Sequence, residues 1–481
     1  MINGIADLRP LLPEICLLSA TLFILMLELF LAERHKGWVH PLATATLLAT
    51  AYFVSIDFSY DAPRRLFEGL FIRDALSDVL KMFMLLTTAI VFVYGRHSIE
   101  SRGVRSPNYY LLILFALLGM MVLVSSGNLV TVYLGLELMA LSTYALVALE
   151  RDNGLASEAA MKYFVLGALA SGLLLYGMSL LFGLTSSLDL QVIAQKLAVG
   201  GVHPVLSAFA LVFIVIGLAF KFGAVPFHMW LPDVYEGAPT ATTLFIASVP
   251  KLAAVGMAFR LLPEGLGPLL ERWREMLAIL AVGSLVLGNL AAIAQYNIKR
   301  MLAYSTISHV GFIFLGLING TALGYSATVF YAVVYALSTA AAFGVIIYCA
   351  RDGMEFDKIE DFKGLNQRSP WIAFLMLLVM ASLAGFPPLV GFWAKVQVLQ
   401  SAMALGSQWT WLVLTAAVFA VVGAYYYLYI IKVMYFDGPQ NTDKVSAPFD
   451  MRLVLSDNVL LLLLLGLYWQ PLAAICNRIF G

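Results

Sequence analysis

Apolar residues run along this chain in long stretches separated by short polar hinges, near residues 11–32, 38–58, 75–95, 109–125, 128–149, 157–183, 204–230, 240–262, 274–295, 300–319, 324–350, 370–404, 409–434 and 455–477. Each is about long enough, as a helix, to cross a hydrocarbon core of roughly 30 Å. The pattern predicts an all-α, polytopic membrane protein of fourteen helices, with residues 1–481 forming a single membrane domain. Turn-forming residues mark the hinges, as at Ser126-Gly127-Asn128 and Asn319-Gly320. Ser157 reads as an N-cap, with Glu158 and Lys162 paired one turn apart behind it. The segment RRLFEGLFIR, Arg64 to Arg73, is too short to span and reads as an amphipathic or hairpin piece on the surface.

Two spans are interrupted, and both interruptions lie beside lysines. The seventh carries Lys221, is broken at Pro226, and is followed by a helix carrying Lys251. The twelfth, MLLVMASLAGFPPLVGFWAKVQVLQSAM, is broken at Gly385, Pro387 and Pro388, with Lys395 beyond the break. A charge at mid-bilayer costs roughly 2.5–3.5 kcal/mol, so such residues face a bundle interior or a water path and mark ion routes. Irregular backbone at that depth is tolerated only where protein buries it or a cavity receives it. Lys251 lies about 16 Å from its helix start at Thr240, too deep to snorkel. On the acidic side, Glu137 lies about 13 Å into its helix with no charged neighbour one turn away, so its partner is expected from another helix. Lys before one break and after the other suggests an inverted repeat of five helices, residues 109–262 (helices 4–8) and 274–434 (helices 9–13), with helices 1–3 and 14 peripheral.

Other charges have blander readings. Lys81 beside Asp78 reads as a snorkelling interfacial pair, and Glu14 and Glu28 as interfacial. For Lys162, snorkelling and a functional role are evenly matched. His309, roughly mid-span, is either a proton relay or a neutral imidazole held by a backbone carbonyl.

Composition agrees with the pattern: 61% hydrophobic residues, 12% charged and mean hydropathy +0.89 exclude a water-soluble domain. The formal net charge of zero offers no field for nucleic acid. Cys16, Cys349 and Cys476 are scattered in apolar surroundings, which argues for core packing and against an iron-sulfur, haem or zinc site. Neither a Walker motif nor a strand-borne GxGxxG is present. The first apolar helix reads as a retained span. Loops after odd-numbered spans carry the larger share of basic residues, including Arg34, Lys36, Arg96, Arg102, Arg105, Arg151, Lys299, Arg300, Arg351 and Lys444. The positive-inside rule therefore places those loops in the cytoplasm and both termini outside.

Four stretches, LGLELMAL, FKFGAVPFHMWLPDVYEGAP, GNLAAIAQYNIKRMLAYSTISHVGF and SLAGFPPLVGFWAKVQVL, closely resemble the antiporter-like membrane subunits of bacterial NADH:quinone oxidoreductase, respiratory complex I. The resemblance covers nearly the whole chain. Within the family it is to the branch that lacks a long C-terminal lateral helix and has lysine, not glutamate, at the position of Lys395. It implies a bacterial inner-membrane subunit with periplasmic termini that contributes a proton path. Glu137 and Lys221 would be the ion pair of the input half-channel, Lys251 the connecting lysine and Lys395 the exit-side lysine. Lys162, His228, Asp233 and His309 lie in matching segments as possible relays. FMN, iron-sulfur clusters and the quinone site are expected on other subunits, with no cofactor on this chain. The implied partners are other membrane-arm subunits, including neighbouring antiporter-like ones, the lipid bilayer and protons, with no nucleic acid. A subunit of a multisubunit sodium/proton antiporter is the alternative, and a passive scaffold whose buried charges serve packing is a third reading.

Overall fold

The computed structural model describes residues 5–101, 106–201, 203–350, 356–439 and 447–481. Of the basic residues used to orient the chain, Arg102, Arg105, Arg351 and Lys444 lie outside the described residues. The chain divides into two compact units, residues 1–92, 103–218 and 252–270 in the first, and 93–102, 219–251 and 271–481 in the second.

The helices are α1 (Leu12–Phe30), α2 (Val39–Ile56), α3 (Ala75–Ser101), α4 (Ser106–Val124), α5 (Leu129–Val147), α6 (Gly154–Thr185), α7 (Leu190–Val199), α8 (Pro204–Phe222), α9 (Trp230–Gly237) and α10 (Thr240–Phe259). They continue with α11 (Leu270–Ile293), α12 (Ile298–Ile318), α13 (Ala322–Cys349), α14 (Leu365–Arg368), α15 (Pro370–Ala384), α16 (Val390–Met403), α17 (Thr410–Phe436), α18 (Phe449–Leu467) and α19 (Gln470–Phe480). Among the described residues, twelve helices are long and apolar enough to cross a membrane. The stretch expected as a broken twelfth span forms α15 and α16, of 15 and 14 residues, each too short to cross alone. The expected last span begins earlier, at Phe449, and bends by 77° between α18 and α19, where Pro471 opens the second helix.

In the first unit α4 packs along α5, and α1 lies against α2 and α4. The segment Arg64 to Arg73 is an antiparallel hairpin of β1 (Arg64–Leu66) and β2 (Phe71–Arg73). Only β1 fits a surface role, since β2 is buried and Ile72 donates to the Ser125 carbonyl at 2.6 Å. Arg260 clamps the unit: buried to 1% exposure, it donates to Asp74 (2.8 Å), Glu264 (2.5 Å) and the Val124 carbonyl (2.9 Å). Burial would raise the Asp74 carboxyl, but the guanidinium beside it holds it below its ordinary value.

Three local expectations are corrected here. Asn153, not Ser157, caps α6, its Oδ1 accepting from Leu155 and Ala156 nitrogens at 3.1 and 3.3 Å. Lys81 does not snorkel beside Asp78; fully buried, it meets Glu14 of α1 at 2.7 Å. Glu14 is likewise buried, and Arg73 claims Asp78 at 3.0 Å. Glu158 and Lys162 do pair, at 2.8 Å, on an exposed face.

In the second unit α13 is the hub. Every residue from Ser326 to Cys349 is buried, and α12, α15, α16, α18 and α19 all pack on it. Small residues in its sequence ALSTAAAFG let neighbouring backbones approach, which is how helices gain packing energy where lipid offers no hydrophobic drive. Cys349 and Cys476 are buried and Cys16 partly so.

Candidate functional site

The two broken helices end in the same way. At the end of α8, Gly223 takes a left-handed conformation (φ +75°), its nitrogen donating to the Phe220 carbonyl (2.9 Å) and that of Ala224 to Ala219 (2.8 Å). At the end of α15, Gly385 does so too (φ +90°), bonding Ser382 (3.0 Å), while Phe386 bonds Ala381 (2.9 Å). Both are Schellman endings, which satisfy the carbonyls one turn back and leave the final ones open.

Lysine fills each vacancy. Lys251 Nζ donates to the Phe222 carbonyl at 2.7 Å, and Lys395 Nζ to the Ala384 carbonyl at 2.8 Å. A cation is favoured there because the helix dipole gathers negative charge at its C-terminus. An aromatic face supports each ammonium, Trp230 at 5.7 Å under Lys251 and Phe312 at 5.4 Å under Lys395. Lys251 is 2% exposed. Lys221, in the last turn of α8, is buried and lies within electrostatic reach of Lys251.

The remaining predicted residues belong to several elements. His228 occupies the irregular segment between α8 and α9. Asp233 of α9 is held at 2.9 Å by Arg300, which also grips Glu236 at 2.8 Å. Lys162 is on the exposed face of α6 described above. Glu137 belongs to the first unit, on α5, where its charge is within reach of Tyr133 and Tyr144. Its Oε1 is buried without a hydrogen bond. His309 lies deep in α12, and neither reading of it from the sequence anticipates its partners. Both ring nitrogens meet tyrosine hydroxyls, Nδ1 that of Tyr331 at 2.7 Å and Nε2 that of Tyr427 at 3.0 Å.

Around it runs a buried hydroxyl and amide network that a search for charges passes over. Tyr427 also bonds Ser305; Tyr335 donates to Thr306 at 2.7 Å; Tyr426 donates to Asn289 Oδ1 at 3.1 Å, and Asn289 donates to Ser308 at 2.8 Å. The sequence signal was there, in the run Tyr425-Tyr426-Tyr427 and in Tyr331 and Tyr335 one helical turn apart. Lys299, counted as a loop residue, sits in the first turn of α12 and donates to the Ala238 carbonyl at the end of α9 (3.1 Å). Among the described residues no three His, Cys, Asp or Glu side chains gather as a metal would require.

The family described as NADH:quinone oxidoreductase/Mrp antiporter, TM, matches residues 126–420. NADH-quinone oxidoreductase subunit N of Thiobacillus denitrificans is 52% identical over 478 residues, covering 99% of this chain and 98% of that one. A chain in the structure of respiratory complex I from Thermus thermophilus with bound aureothin is 32% identical, with a TM-score of 0.83 over 96% of this chain and 99% of that one. A chain of the Mrp complex from Dietzia, 20% identical, shares the fold at a TM-score of 0.81 over 98% of this chain and 96% of that one. Broken helices with lysine-bound ends and these matches define the class, an antiporter-type multi-pass membrane subunit. Within that class the chain belongs to the NADH-quinone oxidoreductase subunit N family.

Proposed function

We propose that this chain is a proton-translocating membrane-arm subunit of a bacterial inner-membrane NADH:quinone oxidoreductase, in which Glu137, Lys221, Lys251 and Lys395 carry the proton. The observation that carries the reading is the repeated lysine on a helix-end carbonyl (2.7 and 2.8 Å). A carbonyl dipole satisfies an ammonium without a counter-charge, so the proton is held by geometry that a moving partner can alter. Redox cofactors would reside on other subunits, and the chain's work would be to convert their free energy into changes of charge pairing. Glu137 would stabilise the ammonium of Lys221 and release it when the pair opens. Lys251 would connect this input to Lys395, the exit-side lysine, with both termini in the periplasm. Residues 109–262 and 274–434 would be the two inverted repeats. The similar endings of α8 and α15 support that reading, since corresponding broken helices are where such repeats place their sites. The sodium/proton antiporter alternative has the weaker support: the family matching residues 126–420 includes Mrp antiporters, but the Mrp complex chain is 20% identical against 52% for a subunit N.

The test is a double-mutant cycle on membrane vesicles, following NADH oxidation and acidification together at matched levels of assembled complex. Glu137→Gln and Lys221→Ala should each lower coupled turnover, and the double variant should be no worse than the poorer single one. Glu137→Asp should keep much of the activity. Strictly additive losses, or normal pumping in Glu137→Gln, would remove the pair from the path.

A further inference from the structure

Tyr427 lies on α17, near its middle, and is 1% exposed. Its hydroxyl bonds His309 Nε2 on one side and Ser305 Oγ on the other. Both partners are buried, at 7% and 2% exposure, and both belong to α12 one helical turn apart. A tyrosine buried for packing alone needs one hydrogen-bond partner; this one joins two groups that each donate and accept.

His309, Tyr331, Tyr335, Ser382 and Lys395 also line a cavity of about 10 Å³, room for about one water. Neutral imidazole has one N–H and one lone pair. With hydroxyls at both nitrogens, it can therefore take a proton at Nε2 while giving up the one on Nδ1. A proton delivered by water enters at the Ser305 oxygen as the Ser305 hydroxyl proton moves to Tyr427 and the Tyr427 hydroxyl proton moves to Nε2. The proton leaving Nδ1 replaces that of Tyr331, whose own passes through a water in the cavity to the neutral amine of Lys395. No net charge is left behind on Tyr427, and each bond broken is matched by one formed. Ser305 lies about 10 Å from Ile298, the first residue of α12.

We propose that Tyr427 and Ser305 are proton-relay residues that lead from the N-terminal end of α12, the cytoplasmic side by the positive-inside reading, through His309 to Lys395. This rests on the reading of Lys395 as a proton carrier, and it adds a hydroxyl branch that charged residues alone do not provide. Phe at position 427 keeps the ring and its packing but has no hydroxyl to pass the proton.

The experiment uses the assembled complex in native membrane vesicles, measuring NADH-driven acidification in H₂O and in D₂O at matched subunit content. Tyr427→Phe should lower proton pumping roughly a hundredfold, the low end of what a positioned proton-transfer group contributes. It should also change the solvent isotope effect, which a purely structural hydroxyl would leave alone. Ser305→Ala should reproduce the loss, and Ser305→Thr, which restores a hydroxyl, should recover most of it. Normal pumping with an unchanged isotope effect in Tyr427→Phe would overturn the relay. Should that variant fail to assemble, the serine pair decides: equal activity in Ser305→Ala and Ser305→Thr overturns it, and rescue by threonine alone supports it. Lys395→Ala separates the two levels. Pumping lost there but intact in Tyr427→Phe sinks only the relay, whereas pumping intact in both sinks the underlying reading of Lys395.

Discussion

At the end of α8 the capping lysine arrives from another helix, α10, 29 residues further along the chain, while at the end of α15 it comes from α16, 11 residues on and within the same broken span. The helix endings, donor distances and supporting rings are otherwise alike. What differs is the surroundings. Lys251 is closed in, with Trp230 both under its ammonium and donating to the Phe220 carbonyl at 3.0 Å. Lys395 is only partly buried and borders the small cavity it shares with His309. One capping device thus serves two purposes. Around Lys251 it is tied into packing, and removing the lysine strands a buried carbonyl. Around Lys395 it faces exchangeable hydrogen-bond partners, and a water can take the lysine's place.

The largest effect that would break this contrast comes from deleting the lysines. Both Lys251→Ala and Lys395→Ala should lower proton pumping roughly a hundredfold or more, as expected if each is the proton-transfer group proposed. Their effects on the amount of complex should differ. Lys251→Ala leaves the Phe222 carbonyl buried and unbonded, a cost of about 1–3 kcal/mol, and should reduce assembled complex. Lys395→Ala should leave it near normal. Quantifying the subunit in solubilised complex alongside acidification checks this, and equal losses of content would erase the distinction.

Why both lysines were visible in the sequence, and much around them was not, follows from the same physics. A charge inside an apolar run, next to a proline or glycine break, stands out because hydrocarbon penalises it. Its acceptor does not stand out: the Phe222 and Ala384 carbonyls belong to every residue's backbone, and only the helix ending exposes them. Partner choice is tertiary as well. Lys81 pairs with Glu14 rather than with nearby Asp78 because the fold brings α1 alongside, and no local spacing encodes that. Tyrosine hydroxyls escape a hydropathy reading, since the ring counts as apolar and hides the polar end. Many helix ends were legible to within a few residues, as with Asn153 in place of Ser157, but the end of α3 and the start of α18 were each six residues off, and neither α7 nor the 77° bend after α18 was foreseen.

Substituting the two glycines sharpens the comparison at intermediate size. Alanine in a left-handed conformation costs roughly 1–2 kcal/mol at either site. A Cβ at Gly385 would lie 2.9 Å from Lys395 Cδ and 3.3 Å from its Nζ, so the side chain that gives way is the proposed proton carrier. A Cβ at Gly223 would collide with Leu231 Cδ1, a buried residue of α9. Gly385→Ala should therefore lower turnover several-fold more than it lowers complex content, and Gly223→Ala should do the reverse. The ratio of coupled NADH oxidation to assembled complex distinguishes them; the same ratio in both variants would mean that the two endings respond alike.

The smallest effect concerns the rings beneath the ammonium groups. A cation over an aromatic face gains about 0.5–2 kcal/mol, least where solvent reaches it. Phe312→Leu removes the face under Lys395 with little change of volume and leaves the Ala384 carbonyl in place, so the ammonium keeps its hydrogen bond. Coupled turnover should fall about two- to eightfold, the equivalent of the lower half of that range, and Phe312→Tyr, which retains the ring, should stay close to the parent. Trp230→Leu should cost more, because it removes both the face under Lys251 and the indole N–H that holds the Phe220 carbonyl. Trp230→Phe divides those contributions: it restores a ring without the donor and should fall between Trp230→Leu and the parent. If Trp230→Leu and Phe312→Leu proved equally mild, the indole donor would carry nothing, and the tighter integration of the Lys251 site into packing would lose its clearest structural support.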